Sequence, residues 1–150
     1  MENIFLPETA ANLIARINHL TPETKPLWGK MNAPQMLAHV NVAYEMAFEN
    51  KHKKPGVFMR WMLKMFVKDT VCGPKPYKHN SQTAPAFLIT SDKDFGTEKN
   101  RLIGYLNKSV ELGEDYFDGK ESLSFGKLTK EEWNVMFHKH LEHHLSQFNV

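Results

Sequence analysis

The residues from Thr129 to Val150 constrain this chain more than any other stretch. They read Thr-Lys-Glu-Glu-Trp-Asn-Val-Met-Phe-His-Lys-His-Leu-Glu-His-His-Leu-Ser-Gln-Phe-Asn-Val. Thr129 and Glu132 have capping-box spacing: the threonine hydroxyl takes the amide of Glu132, and the carboxylate reaches back to the amide of Thr129. A helix starting there carries Trp133, Phe137, His140, His144 and Phe148 along one stripe, in steps of four, three, four and four. Two imidazoles one turn apart then sit in the middle of an apolar face. Once buried, each needs a hydrogen-bond partner, and the two cannot both be charged at low cost. Satisfied core histidines are one solution. A divalent metal is another, because neutral imidazole is a good ligand and i, i+4 is a chelating spacing. A third ligand from elsewhere decides between them. His138 points away from the stripe and His143 lies at its edge, so these two are expected to be ordinary solvated residues.

A face of this kind must be covered by other helices, and the chain is long enough to supply them. Its 150 residues, 41% of them hydrophobic, suit a single domain over 1–150 that builds a core without staples. Net charge is +2, and no basic stripe interleaved with aromatics stands out, so nucleic acid is not expected as a partner. The most apolar run, Val57 to Val67, is too short to cross a membrane and carries Arg60 and Lys64, so no membrane partner is expected either. The first residues lack a cationic leader and an apolar core, so no secretory signal is expected. A single cysteine, Cys72, excludes an intrachain disulfide and fits a reducing, cytoplasmic location. It lies far from the histidine motif in sequence and reads as incidental.

Four long amphipathic helices and one shorter one follow from periodicity and caps. Pro7 opens a helix whose Leu13, Ile14, Ile17 and Leu20 keep a helical period to about His19. Asn32-Ala33-Pro34-Gln35 is a second capping box, and the helix behind it runs to about Asn50, with Met36, Val40, Ala43 and Ala47 inward and Leu37, Tyr44 and Phe48 beside them. Val57–Val67 reads as a helix apolar on most sides, either buried beneath a basic ridge of Arg60, Lys64 and Lys68 or serving as a dimer face or lid. Pro74, Pro76 and Pro85 predict an extended connection over Asp69–Ser91. The next helix spans about Phe95 to Leu112 with Gly113 past its end, followed by a loop over Glu114–Gly126. No strand is expected. The fold class is all-α, a four-helix bundle with a long crossover and one extra short helix.

His39 supplies the candidate third ligand. It lies three residues after Met36 and four before Ala43, on an inward flank near the middle of the second helix. Alone it is a core-edge histidine; beside an i, i+4 pair on a neighbouring helix it completes a set of three.

Trp28-Gly29-Lys30-Met31-Asn32-Ala33-Pro34-Gln35-Met36-Leu37-Ala38-His39-Val40 resembles the approach to the second helix in the DinB/YfiT-like superfamily, where a Trp precedes a capped helix and a His follows about a dozen residues on. His140-Leu141-Glu142-His143-His144 resembles that superfamily's final-helix HxxxH. The resemblance implies a DinB-like up-down-down-up bundle and a three-His metal site at His39, His140 and His144. For some relatives it also implies thiol-dependent transferase or isomerase chemistry. The apolar insert Val57–Val67 and the proline-rich connection depart from the pattern where a substrate entrance would lie.

Other metal chemistries fail on the residues. A zincin needs Glu immediately after the first His, and Leu141 stands there. A carboxylate di-iron site needs Glu three before each inward His, and those positions are Phe137 and Leu141. Three neutral imidazoles leave open coordination positions on a mononuclear divalent ion, whether zinc, nickel or iron. Two functions follow. One is a metal-dependent transferase or hydrolase acting on a small molecule, a low-molecular-weight thiol in the first instance, with Trp28 and the side chains of Phe58–Met65 bordering the substrate. The other is a non-catalytic bundle, dimeric or not, with a structural, sensory or vestigial metal site.

Overall fold

Helix α2, Ala33–Phe48, occupies the middle of the molecule in the computed structural model, which describes residues 1–150. Its nine consecutive residues from Met36 to Tyr44 are all buried, so it is enclosed on every side rather than along one stripe. The sequence prepares for this with small and apolar side chains (Ala38, Val40, Val42, Ala43), and the start is fixed by the expected Asn32–Gln35 capping box with Pro34 in the first turn. Around it stand α1 (Pro7–His19), α5 (Phe95–Phe117) and α6 (Lys130–Gln147). The chain is mostly helical, with α3 (Val57–Phe66), α4 (Lys68–Cys72) and a 3-10 turn at Pro85–Phe87 between α2 and α5.

Residue pairs give the helix directions. Asn41 meets Glu98, Glu45 meets Arg101 and Glu49 meets Tyr105, so α2 and α5 advance together and run parallel. Tyr44 stacks on Phe137 and His39 meets His144 edge-on, so α6 runs opposite to α2. Asn134 meets Ile4 just before α1, and Glu142 meets Arg16 within it, so α6 and α1 run the same way. The core between them is aromatic and aliphatic: Trp133, Phe137, Leu141 and Leu145 of α6 lie against Tyr44 and Val40 of α2 and Leu102 and Leu106 of α5. Asn41, fully buried, donates through Nδ2 to both the carbonyl and the carboxylate of Glu98, at 3.0 and 2.8 Å. This polar clasp fixes the α2–α5 register with every donor satisfied.

Four expectations are corrected. The Asp69–Ser91 connection is not wholly extended, because α4 and the 3-10 turn interrupt it. Lys139 explains the first of these: its buried ammonium donates to the carbonyls of Thr70, Gly73 and Lys75 at 2.8, 2.5 and 3.2 Å, capping the end of α4 from α6. The helix expected to stop before Gly113 does break there, at φ +70°, but a further helical turn follows to Phe117. Phe117 is fully buried against Phe5, Trp133 and Phe137, and that packing sustains the turn. The loop after it contains a small antiparallel ribbon, Glu121–Ser122 with Gly126–Lys127, where no strand was expected. Finally, α3 is not a buried helix: none of its residues is buried.

Replacing Lys139 by Met leaves the three carbonyls that it caps without a partner. We expect a loss of about 1–3 kcal/mol in urea unfolding, with faster amide exchange over Lys68–Lys75 than elsewhere.

Candidate metal centre

His39, His140 and His144 converge, each offering one ring nitrogen, with the three atoms within 4.8 Å of one another. Ring centroids are 4.9 Å apart for His39–His140, 4.6 Å for His39–His144 and 4.9 Å for His140–His144. The stripe on α6 and the inward flank of α2 thus meet at one point, because the two helices cross antiparallel there. His39 and His144 are buried, and His140 is partly so.

Two of the three tautomers are set by oxygen acceptors. His39 Nδ1 lies 2.8 Å from the Phe87 carbonyl, which can only accept, so Nδ1 carries the proton and Nε2 a lone pair. His144 Nδ1 lies 2.8 Å from Oε1 of Gln147. The amide orientation of Gln147 is in turn pinned, since its Nε2 donates to the Trp28 carbonyl at 2.6 Å. His144 therefore also holds its proton on Nδ1 and leaves Nε2 free. His140 Nε2 approaches His39 Nε2 at 2.9 Å, so at most one proton can lie between them.

Gly29 makes the Gln147 link possible. At φ +85° it adopts a conformation that side-chain-bearing residues resist, and a Cβ there would stand 2.6 Å from Nε2 of Gln147.

Burial keeps the cluster neutral. It lowers His39 in spite of the Phe87 bond, and lowers His140 far below the usual range with the neighbouring His144 and His39 adding to the effect. His144 is lowered to about 3, first by burial and then by His39, against the opposing Gln147 bond. Neutral imidazoles, two with Nδ1 engaged and Nε2 turned to a common point, are the donor set a divalent cation requires. The residues therefore fit the ion.

Aromatic rings surround the ligands. Phe87 lies edge-on to His39 and His140, at 5.4 and 5.7 Å, and Tyr77 edge-on to His140 at 6.3 Å. Trp28 stacks on His79 at 3.7 Å and meets the edge of His143, whose ring is 5.1 Å from that of His144. Trp28 thus stands one side chain removed from the ligands and is joined to them through Gln147. A shallow groove of about 390 Å³ between α1 and α5 shares no residue with the cluster.

A family model covers residues 7–150. The chain belongs to the family of proteins of unknown function DUF1569. No curated protein and no solved structure matches it. The three histidines and their supporting residues, Trp28, Phe87 and Gln147, all fall inside the span that defines its membership in DUF1569.

Three expectations about the surroundings are corrected. His138 is not solvated but buried, because the segment ahead of α1 lies over it: Ile4 donates to Asn134 Oδ1 and Asn134 donates to the Glu2 carbonyl. His143 is half-buried between Trp28, Tyr77 and His79 rather than free in solvent. The apolar insert does not border the ligands: Arg60 pairs with Glu121 on the ribbon and Lys68 with Glu132, each at 2.7 Å. Glu132 lies in the first turn of α6, eight residues before His140, or about 12 Å along the axis. Residues the sequence did not single out are Gln147, Phe87 and Tyr77. Only Gln147 left a legible signal, three residues after His144 and so on the same face. Cys72 is buried with its thiol pushed up to about 12 by burial, consistent with an inert role.

The lowered histidines set a pH dependence. Above about pH 6.5 they are neutral in both folded and unfolded chains and do not alter stability. Below it the unfolded chain takes up protons that the folded chain refuses, so stability falls with acidification until the folded values are reached. Five histidines share this direction: His39, His138, His140, His143 and His144. Metal-free protein prepared with chelator is expected to lose melting temperature steeply from pH 6.5 to 4.5, and the triple variant His39→Gln, His140→Gln, His144→Gln much less so.

Proposed function

We propose that this chain is a metal-dependent enzyme, a transferase or hydrolase, that binds one divalent ion (zinc, nickel or iron) through His39, His140 and His144 and acts on a small molecule. The observation that carries the reading is the hydrogen-bonding of the ligands: His39 and His144 present Nε2 because Phe87 and Gln147 hold their Nδ1 protons. A purely structural cluster of core histidines has no need of such orientation toward one point. The helix directions support a DinB-like up-down-down-up four-helix bundle of α1, α2, α5 and α6, the architecture in which inward side chains from facing helices build metal sites.

Bound there, a divalent ion supplies a positive centre at which a thiol or water gives up its proton more readily. The chain's own residues bind and position. The imidazoles occupy one side, two of them one turn apart on α6 and one on α2, so the other side is left to substrate. Phe87, Tyr77 and Trp28 give that side apolar, aromatic walls that exclude water and favour a small ligand with an apolar body. Trp28 is the substrate-bordering residue in this reading, its place held by the Gln147 bond to its carbonyl. With three uncharged ligands the site retains the full double charge of the ion, which favours an anionic donor; a low-molecular-weight thiolate is soft enough to suit zinc or nickel.

Cobalt-substituted protein tests this. A small thiol is expected to produce a sulfur-to-metal charge-transfer band that His144→Ala abolishes. A cobalt spectrum indifferent to thiol, azide and imidazole alike means a closed site and a non-catalytic protein.

A further inference from the structure

Helix α3 is the most exposed apolar element of the molecule. Val57, Phe58, Met59, Trp61, Met65 and Phe66 are all more than half exposed, on a helix of ten residues. Only its inner edge is engaged: Leu63 packs against the core, as does Val67 just beyond the helix, and Arg60 pairs with Glu121. On a helical projection the outward side from Val57 through Trp61, Met65 and Phe58 to Phe66 carries no charge, while Arg60 and Lys64 lie along its margin. Phe58 and Trp61 stack on each other at 6.1 Å, forming a raised aromatic pair rather than filling a recess.

Charge in the chain is segregated around this helix. From Asn50 to Lys68 there are six lysines and arginines (Lys51, Lys53, Lys54, Arg60, Lys64 and Lys68) and no acidic residue. The other 13 basic residues face all 17 acidic ones, so the remainder of the chain is net −4 while this stretch is +6, which together give the overall +2. Lys53 and Lys64 have no carboxylate partner; Lys51, Lys54, Arg60 and Lys68 pair with Glu49, Glu121 and Glu132. Those pairs are partly exposed and therefore weak enough for another anion to compete.

We infer that α3 and the lysines before it form a docking surface for an anionic lipid bilayer, on which the helix lies in the plane of the headgroups. A strongly amphipathic helix with Trp and Phe outward and cations along its margin is the pattern of interfacial binding. At ten residues it can lie on a bilayer but not cross one, and no helix of the protein is long and apolar enough to do so; the expectation of no membrane partner rests on spanning alone and does not extend to docking on a surface. A second copy of the chain is disfavoured as the occupant, since a two-fold contact through this face brings two basic stretches together. A bilayer also accepts a convex row of bulky side chains without needing a matching groove.

Co-sedimentation of the full chain with vesicles tests the inference. Binding to phosphatidylcholine vesicles containing phosphatidylserine is expected, with little to pure phosphatidylcholine, and Trp61 fluorescence should shift to the blue on binding. Phe58→Ser with Trp61→Ser should abolish binding, and Lys53→Glu with Lys64→Glu should weaken it by more than about tenfold. Both variants change exposed side chains, so their melting temperatures should match the parent's and exclude misfolding as the cause. Absence of binding to the anionic vesicles, equal binding to neutral ones, or binding that survives both variants overturns the inference. So does a dimer in light scattering that Phe58→Ser with Trp61→Ser dissociates, which would assign the face to a second copy.

Discussion

The candidate centre depends on one chain of hydrogen bonds, from His144 Nδ1 to Gln147 Oε1 and from Gln147 Nε2 to the Trp28 carbonyl. Each link removes a freedom from the next. A carbonyl cannot donate, so the amide of Gln147 has one orientation; that orientation gives His144 one tautomer, and the tautomer turns Nε2 toward His39 and His140. The Phe87 carbonyl does the same for His39 from the opposite side. Such partners for the second ring nitrogen are what hold metal-binding histidines in position and raise their basicity. The link also accounts for the glycine after Trp28, since any side chain at Gly29 would occupy the space of the glutamine amide.

The fold supplies these contacts by enclosing α2. A helix buried on every side draws its polar contacts from its neighbours: Asn41 donates through Nδ2 to Glu98 of α5, and His39 is held by the 3-10 turn and by α6. The same enclosure lowers the proton affinity of the histidines and keeps them as neutral donors at physiological pH. Architecture and site chemistry thus share one cause, the depth at which α2 lies.

Much of this was legible in the sequence because it is local. Both capping boxes form as the spacings indicate, Pro7 opens α1, and Gly113 takes the left-handed conformation at which its helix breaks. The meeting of His39 with His140 and His144 followed from two apolar stripes having to face each other. What was not legible depends on contacts across the chain. Nothing near Asp69 announces a helical turn that a lysine seventy residues later will cap, and nothing near His138 tells that the first residues of the chain will cover it. Phe87 serves through its carbonyl, which no side-chain pattern marks. The apolar run at Val57–Val67 was misleading for a related reason: hydrophobicity marks a helix to be covered, and the chain itself does not cover this one.

X-ray absorption at the metal edge of protein purified without an affinity tag and loaded with zinc reads the donor atoms that His39, His140 and His144 supply. One ion per chain is expected, with three imidazole nitrogens at about 2.0–2.1 Å, one or more further light-atom ligands, and loss of the bound ion in His39→Ala. An absorption spectrum without imidazole scattering, or one unchanged in His39→Ala, would contradict a metal site built from these three histidines.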